Sequence, residues 1–242
     1  MSRILELKDL TIKFGGLTAV NNLNMHLNEG EALGLIGPNG AGKTTAFNLI
    51  VGVYQPTSGK VVFNGEDITG LKPDQMCHKG IGRTFQVVKP FGNMTVQQNI
   101  MVGAFVNTSS PKEARQIAEG IMEKVGLQAK KDVLALNLTI PERKRLEMAK
   151  ALATKPRLLL LDEVLAGLNP TEIEDAVKLI KSINNDGITI MMIEHVLQAT
   201  MAICGRIVVL DYGKKIAEGS PQEVTSNPEV IKAYLGDEYD NA

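Results

Sequence analysis

Gly37, Pro38, Asn39, Gly40, Ala41, Gly42, Lys43 and Thr44 follow the pattern G-x-x-x-x-G-K-[ST] in full. Glycines at these points let backbone N–H groups turn inward around phosphate oxygens, and a helix starting there adds the positive end of its dipole. Lys43 is placed to reach the β- and γ-phosphates of a nucleotide, and the Thr44 hydroxyl to ligate Mg²⁺. A second set follows the apolar run Leu158–Leu161, where Asp162 and Glu163 bring two carboxylates to the end of a strand. Asp162 suits the metal shell, and Glu163 suits polarising an attacking water as a general base. His195, one residue past Glu194 at the end of another apolar run, suits contact with the γ-phosphate; a polar strand cap is the blander alternative. Gln86 closes Gly80–Gln86 at a hinge, where a Gln could sense the metal. Phe14 offers a ring that could stack on adenine for about 1–3 kcal/mol, or a core residue at a strand end. Spacing alone does not choose between these two. His26 and His78 have no comparable setting and read as structural.

These residues need elements to carry them. Leu10, Ile12 and Phe14 alternate with Thr11 and Lys13, and Leu23, Met25 and Leu27 with Asn24 and His26, which predicts two strands. Leu33–Ile36 is a short apolar strand leading into the glycine-rich loop, and Thr44–Val53 reads as a helix after it. Lys60–Phe63 followed by Asn64-Gly65 predicts a strand and a tight turn. The middle of the chain is helical: Thr95-x-x-Gln98 and Ser110-Pro111-x-Glu113 are helix starts, and Ala114, Ile117, Ile121, Met122 and Val125 recur at helical spacing before Gly126. A third helix is predicted from about Glu142 to Thr154. Then βα alternation resumes, with buried strands at Arg157–Asp162, Ile188–Ile193 and Arg206–Asp211, a helix capped by Asn169 and ending near Asn184, and a turn at Tyr212-Gly213 into Lys215–Glu218. Apolar strands separated by helices indicate a parallel sheet covered on both faces. The expected fold is α/β: a P-loop NTPase, RecA-like core at 1–87 and 156–242 with an N-terminal antiparallel β portion and an inserted helical subdomain at about 88–155.

Composition sets outer bounds. The 242 residues are 44% hydrophobic and 22% charged with a net charge of −1, so no global basic field points to nucleic acid. The start, MSRILELKDL, has charges where a signal peptide needs an apolar run, and no stretch of about 18 apolar residues occurs. Cys77 and Cys204 match no metal spacing and read as reduced thiols of a cytosolic protein.

Taken together and in order, these motifs resemble the ATP-binding-cassette family over Ile4 to about Gly236: an aromatic A-loop at Phe14, Walker A at 37–44, Q-loop Gln86, a signature position, Walker B at 158–162, the acid Glu163, a D-loop through Asn169, and switch His195. Phe14-Gly15-Gly16-Leu17-x-Ala19-Val20, Phe47-Asn48, Asp67–Leu71, Arg83–Gln86, Ala166–Glu172, Ile193–Val196 and the ending Ala233–Gly236 look like the LivG-type ATPases of branched-chain amino-acid importers. The resemblance implies ATP and Mg²⁺ as cofactors. It implies nucleotide contacts from Phe14, Val20, Gly37–Thr44 and Thr45, metal contacts from Thr44, Gln86 and Asp162, and catalysis by Glu163, His195 and Gln86. It further implies two membrane permease subunits, a second ATPase subunit and a substrate-binding protein as partners, no nucleic acid, and a cytoplasmic location, peripheral on the inner face of the cell membrane. Urea or other amides and lipopolysaccharide are alternative cargoes. A soluble family member acting in protein or cluster assembly is another reading, although no long heptad insertion interrupts the motifs. A nucleotide-binding module without catalysis is disfavoured by the presence of both Glu163 and His195.

One departure stands out. The signature position normally reads Leu-Ser-Gly-Gly-Gln; here it is Leu138-Thr139-Ile140-Pro141-Glu142. Both glycines are gone, Pro141 has no N–H to donate, and Glu142 brings negative charge towards phosphate unless it turns back to cap its own helix. In the family ATP lies between Walker A of one subunit and the signature of the other. The residues therefore predict a slow isolated ATPase and a heterodimer with unequal sites. Val164 also stands where a Pro often follows the acid, with no mechanism attached to the change.

Overall fold

The computed structural model describes residues 2–235; Gly236, at the end of the Ala233–Gly236 motif, lies outside them. The chain divides into two compact units, Met1–Pro73 with Thr189–Ala242, and Asp74–Ile188.

The first unit begins with a long antiparallel hairpin, β1 (Arg3–Phe14) and β2 (Leu17–Asn28). Its two-residue turn is Gly15-Gly16, and Gly15 takes φ +58°. The strand starts seven residues before the alternation at Leu10 suggested. The pattern Leu23, Met25, Leu27 buried is kept in β2. In β1 it breaks: Thr11, which alternation would turn outward, is buried, because the ladder shifts register beside Asp9 at φ +51°. The Thr11 hydroxyl then accepts from the Asn22 N–H at 2.9 Å. β3 (Ala32–Ile36) is wholly buried and runs into the loop before helix α1 (Lys43–Ile50). β4 (Ser58–Phe63) and β5 (Glu66–Asp67) complete a four-stranded sheet in the order β2-β1-β4-β5. Between them Asn64 and Gly65 both have positive φ, as a type I′ turn requires.

The second unit holds α2 (Pro73–His78), β6 (Ile81–Arg83), α3 (Val96–Ala104), α4 (Pro111–Val125), α5 (Ile140–Ala153), β7 (Leu158–Asp162) and α6 (Pro170–Asn185). β6 and β7 pair in parallel, with Arg83 opposite Leu160. Helices α3, α4 and α5 pack on one another. A Cβ on Gly103 would stand 2.4 Å from the Lys150 carbonyl, so glycine is what lets α3 approach α5. The helix starts fall where the sequence placed them: Thr95 and Gln98 form a capping box, and the Ser110 hydroxyl caps α4, which stops at Gly126 with φ +71°. On α4 the buried positions are Ala114, Ala118, Met122 and Val125, with Ile117 and Ile121 flanking them half-buried. Grouping by compactness puts β6, β7 and α6 with these helices, a different partition from the 88–155 sequence boundary.

The chain then returns to the first unit with β8 (Thr189–Ile193), α7 (Leu197–Ile203), β9 (Arg206–Asp211), β10 (Lys214–Gly219), α8 (Pro221–Thr225) and α9 (Pro228–Leu235). β8 and β9 flank β3, both parallel to it, and β10 is antiparallel to β9. The Arg206 side chain ties three strands of chain together. It donates to both Glu31 oxygens at 2.7 and 2.9 Å, to the His26 carbonyl at 2.8 Å, and to Glu218. Cys77 and Cys204 are free thiols, and burial, with a smaller contribution from Glu31, pushes Cys204 up to about 12. Among the described residues no helix is long and apolar enough to cross a membrane.

Candidate nucleotide site

In the first unit the phosphate loop joins β3 to α1. Gly37 (φ +149°) and Gly42 (φ +98°) are required by close approach: a Cβ would lie 2.1 Å from the Leu210 carbonyl at the first and 2.4 Å from the Ala19 carbonyl at the second. Gly40 (φ +81°) is different, with open space where its Cβ would be, so its need is conformational and leaves the loop's outer face bare. Asn39 and Gly40 are exposed, Pro38 half-buried and Ala41 buried. Gly213 N–H donates to the Ala41 carbonyl at 3.0 Å, so the turn after β9 clamps the loop. Gly42 is the helix N-cap; no side chain caps α1 and no acid lies in its first turn, which suits its N–H donors to an anion. The Lys43 ammonium donates to the Gly37 and Pro38 carbonyls at 2.7 and 2.9 Å, spanning the loop. Thr44 is exposed and Thr45 half-buried.

Phe14 is 44% exposed at the end of β1 and makes an edge-to-face contact with Tyr54, ring centroids 5.2 Å apart. A core role for Phe14 is thus excluded. Val20 differs: its side chain is fully buried, so any part it plays in nucleotide binding runs through packing beneath the loop. His195 lies exposed two residues beyond β8, on a cavity of about 250 Å³ shared with Ile36, Glu194, Val230 and Tyr234. Tyr234 hydrogen-bonds the Gly37 backbone, which lowers its pKa against the larger upward push of burial. In the sequence Tyr234 stands only within the Ala233–Gly236 motif, with nothing local to mark this contact.

In the second unit the acidic pair ends β7. Asp162 is buried, its Oδ2 accepting from Arg83 Nη2 at 2.8 Å across a nearly buried pair. Its backbone N–H donates to the hydroxyl of fully buried Thr84 at 3.1 Å. Asp162 Oδ1 is buried and has no protein partner among the described residues. A buried carboxylate oxygen left over in this way fits a metal ligand. Glu163 takes φ +50°, rare for a residue with a side chain. Gln86 Nε2 donates to Glu163 Oε2 at 2.6 Å, so two of the residues assigned to catalysis meet directly. Arg83 and Thr84 were legible only as part of a motif, because their work depends on β6 lying beside β7.

The signature residues open α5. The Thr139 N–H donates to Glu142 Oε2 at 2.9 Å, and Lys130 pairs with Glu142 Oε1 at 3.2 Å. The Thr139 backbone bond, then Lys130, hold the Glu142 carboxyl below its usual range. The charge is therefore turned back on its own helix and paired with Lys130. Leu138 is buried, while Ile140 stands 61% exposed at the helix start, over backbone that glycine would leave bare. Asn169 caps α6: its side chain accepts from the Glu172 N–H at 3.0 Å and Glu172 returns the bond at 2.8 Å, with Pro170 just inside.

A glycine loop between a buried parallel strand and an uncapped helix, with an acid pair on a second such strand, defines a phosphate-loop nucleotide-binding protein of the α/β class. Comparison with known proteins narrows the class. The family model described as "ABC transporter" matches residues 20–166, and one described as "Branched-chain amino acid ATP-binding cassette transporter" matches residues 214–240. The chain belongs to the ABC transporter family, as an ATP-binding cassette, the ATPase that powers transport. It is 41% identical to the high-affinity branched-chain amino acid transport ATP-binding protein BraF of Pseudomonas aeruginosa, over 98% of this chain and 100% of that one. It is 39% identical to LivG of Escherichia coli K12, over 97% and 98%. The lipopolysaccharide export system ATP-binding protein LptB of Haemophilus influenzae is 34% identical, over 98% of each. Among solved structures, the ADP conformation of MJ1267, an ATP-binding cassette of an ABC transporter, superposes with a TM-score of 0.88 at 31% identity, covering 98% of this chain and all of that one.

Proposed function

We propose that this chain hydrolyses MgATP to drive import of branched-chain amino acids. The observation that carries the cargo is the full-length match to BraF and LivG, joined by the match of residues 214–240 to a model of that transporter group. In this reading the loop Gly37–Thr44, with Thr45, takes the phosphates, and Lys43 exchanges its two carbonyl partners for β- and γ-phosphate oxygens. Thr44 and Asp162 would hold Mg²⁺, with Gln86 as a further ligand; the leftover Asp162 Oδ1 supports that role. An ion held there would supply charge neutralisation for the transferring phosphoryl group. Glu163 takes the proton of the attacking water, His195 steadies the γ-phosphate, and the exposed Phe14 ring stacks on adenine.

The proposed assembly has two membrane permease subunits, a second ATPase subunit with the glycine signature, and a substrate-binding protein. The chain sits on the inner face of the membrane through these partners. The test is co-expression with candidate permease subunits and reconstitution in vesicles with the binding protein. Leucine, isoleucine or valine uptake that requires ATP, and stops with Glu163→Gln, is the expected result. ATP-dependent movement of urea or lipopolysaccharide in place of these would replace the cargo, and failure to co-purify with any membrane subunit would overturn the importer reading.

A further inference from the structure

Glu163 has an unusual backbone for a residue asked to aim a carboxylate. At φ +50° a side-chain-bearing residue stays only where neighbours hold it there. Its side chain is met by Gln86 at 2.6 Å. Its main chain is met from elsewhere: the Glu163 carbonyl accepts from the Lys144 ammonium at 2.9 Å, and more weakly from the Ala166 N–H at 3.3 Å. Lys144 belongs to α5, one turn inside its start. It is the middle of three consecutive basic residues that part company: Arg143 donates to the Leu136 carbonyl at 2.6 Å, Lys144 to Glu163, and Arg145 approaches Asp175 at 4.0 Å. Lys144 is half-buried along this path, and a long side chain held against the Glu163 carbonyl loses rotamer freedom that solvent would have left it.

We infer that Lys144 is a positioning residue for hydrolysis. Its ammonium holds the Glu163 carbonyl, keeps the left-handed backbone in place and so aims the carboxylate. The inference rests on the reading of Glu163 as general base. It also links two parts of the machinery. The helix that Lys144 rides on opens with Thr139–Glu142, so a displacement of the signature end of α5 reaches the general base through one charge-assisted hydrogen bond.

Single-turnover hydrolysis and nucleotide affinity are measured on the full-length chain carrying Lys144→Met, Lys144→Gln, Lys144→Arg, Glu163→Gln, and Lys144→Met with Glu163→Gln. Lys144→Met and Lys144→Gln are expected to slow the chemical step about 10- to 100-fold with the Kd for MgATP changed less than about 3-fold. Lys144→Arg, which keeps a cationic donor, should recover most of the rate. Because Lys144 acts through Glu163, adding Lys144→Met to Glu163→Gln should lower the residual rate by less than about 3-fold. Losses that multiply in the double variant, equal rates for Met and Arg, or a rate unchanged by Lys144→Gln in folded protein would overturn the proposal. Near-normal turnover by Glu163→Gln would instead remove the general-base reading, and this proposal with it.

Discussion

Lys43 illustrates how a single residue is made ready for phosphate. Its side chain is almost buried and its ammonium donates to two carbonyls of its own loop, partners that phosphate oxygens would replace in the proposed site. Lys43→Ala is expected to abolish or severely weaken MgATP binding, and unchanged affinity by calorimetry would remove the site assignment. Glu163→Gln should leave binding intact and slow hydrolysis about 10²–10⁴-fold, read as turnover in parallel with affinity. Arg83 is a different kind of residue. It occupies one oxygen of buried Asp162, and without it that carboxylate faces the interior uncompensated. Arg83→Met should cost about 3–5 kcal/mol of unfolding free energy, measured by urea denaturation of the metal-free chain. A loss under about 1 kcal/mol would mean that water reaches Asp162 and the pair is not sealed.

At the scale of elements, the start of α5 combines a sound helix cap with Ile140 and Pro141 where the resemblance implies two glycines. Glu142 completes a bond to Thr139 and pairs with Lys130, and Pro141 suits the first turn, so the helix begins well. The same residues remove a donor and place the Ile140 side chain outward. Replacing Ile140 and Pro141 with glycine should raise hydrolysis by the isolated chain; no gain would show that Thr139 and the helix end suffice and that the unequal-site reading is wrong. The Arg206 cluster that joins β9, β10 and the end of β2 gives a pH-dependent counterpart. Burial is the largest single influence on Glu31 and would raise its pKa, but the hydrogen bonds from Arg206 and the Asn28 N–H, with the Arg206 charge, together outweigh it and leave it lowered. A lowered carboxyl contributes stability above its unfolded value and loses it as pH falls through the folded value. Arg206→Met should therefore cost about 2–3 kcal/mol near neutrality, and the difference from the parent should shrink as pH drops below about 4.5. A difference that persists undiminished under acid would assign the loss to packing.

For the whole molecule, the second unit carries an apolar surface that its own core does not explain. Pairing of Thr95 with Leu134, and bonds from Ala135 and Leu136 to Met94 and Gly92, bring Leu134 and Leu136 against the segment that follows Phe91, and all three stay exposed. Lys150 lies over the Phe91 ring at 5.4 Å, which fixes the ring without covering it. Exposed apolar residues in this segment fit the contact with a membrane subunit proposed above. Phe91→Asp is expected to disrupt assembly or transport while the isolated chain still binds ATP; normal transport by the variant complex would place the contact elsewhere.

What the sequence determined by itself was whatever depends on local chemistry. The glycine loop, the apolar strands ending in Asp162-Glu163, the caps at Thr95, Ser110, Thr139 and Asn169, and the Asn64-Gly65 turn each need only neighbours a few residues away, and all stand where spacing put them. Tertiary structure decided what depends on partners far along the chain. Thr11 is buried because a register shift at Asp9 turns it inward. Gly37 and Gly42 must be glycine because Leu210 and Ala19 press against them. Arg83 acquires a task because β6 lies parallel to β7, 79 residues separating it from Asp162. Lys144 meets Glu163 because the chain folds back between α5, which packs on β6, and the end of β7, and no periodicity in the sequence encodes that meeting. Hydrogen bonds between side chains and distant backbone leave no trace in composition or spacing, since any ammonium at position 144 would look solvent-bound until the carbonyl opposite it is known.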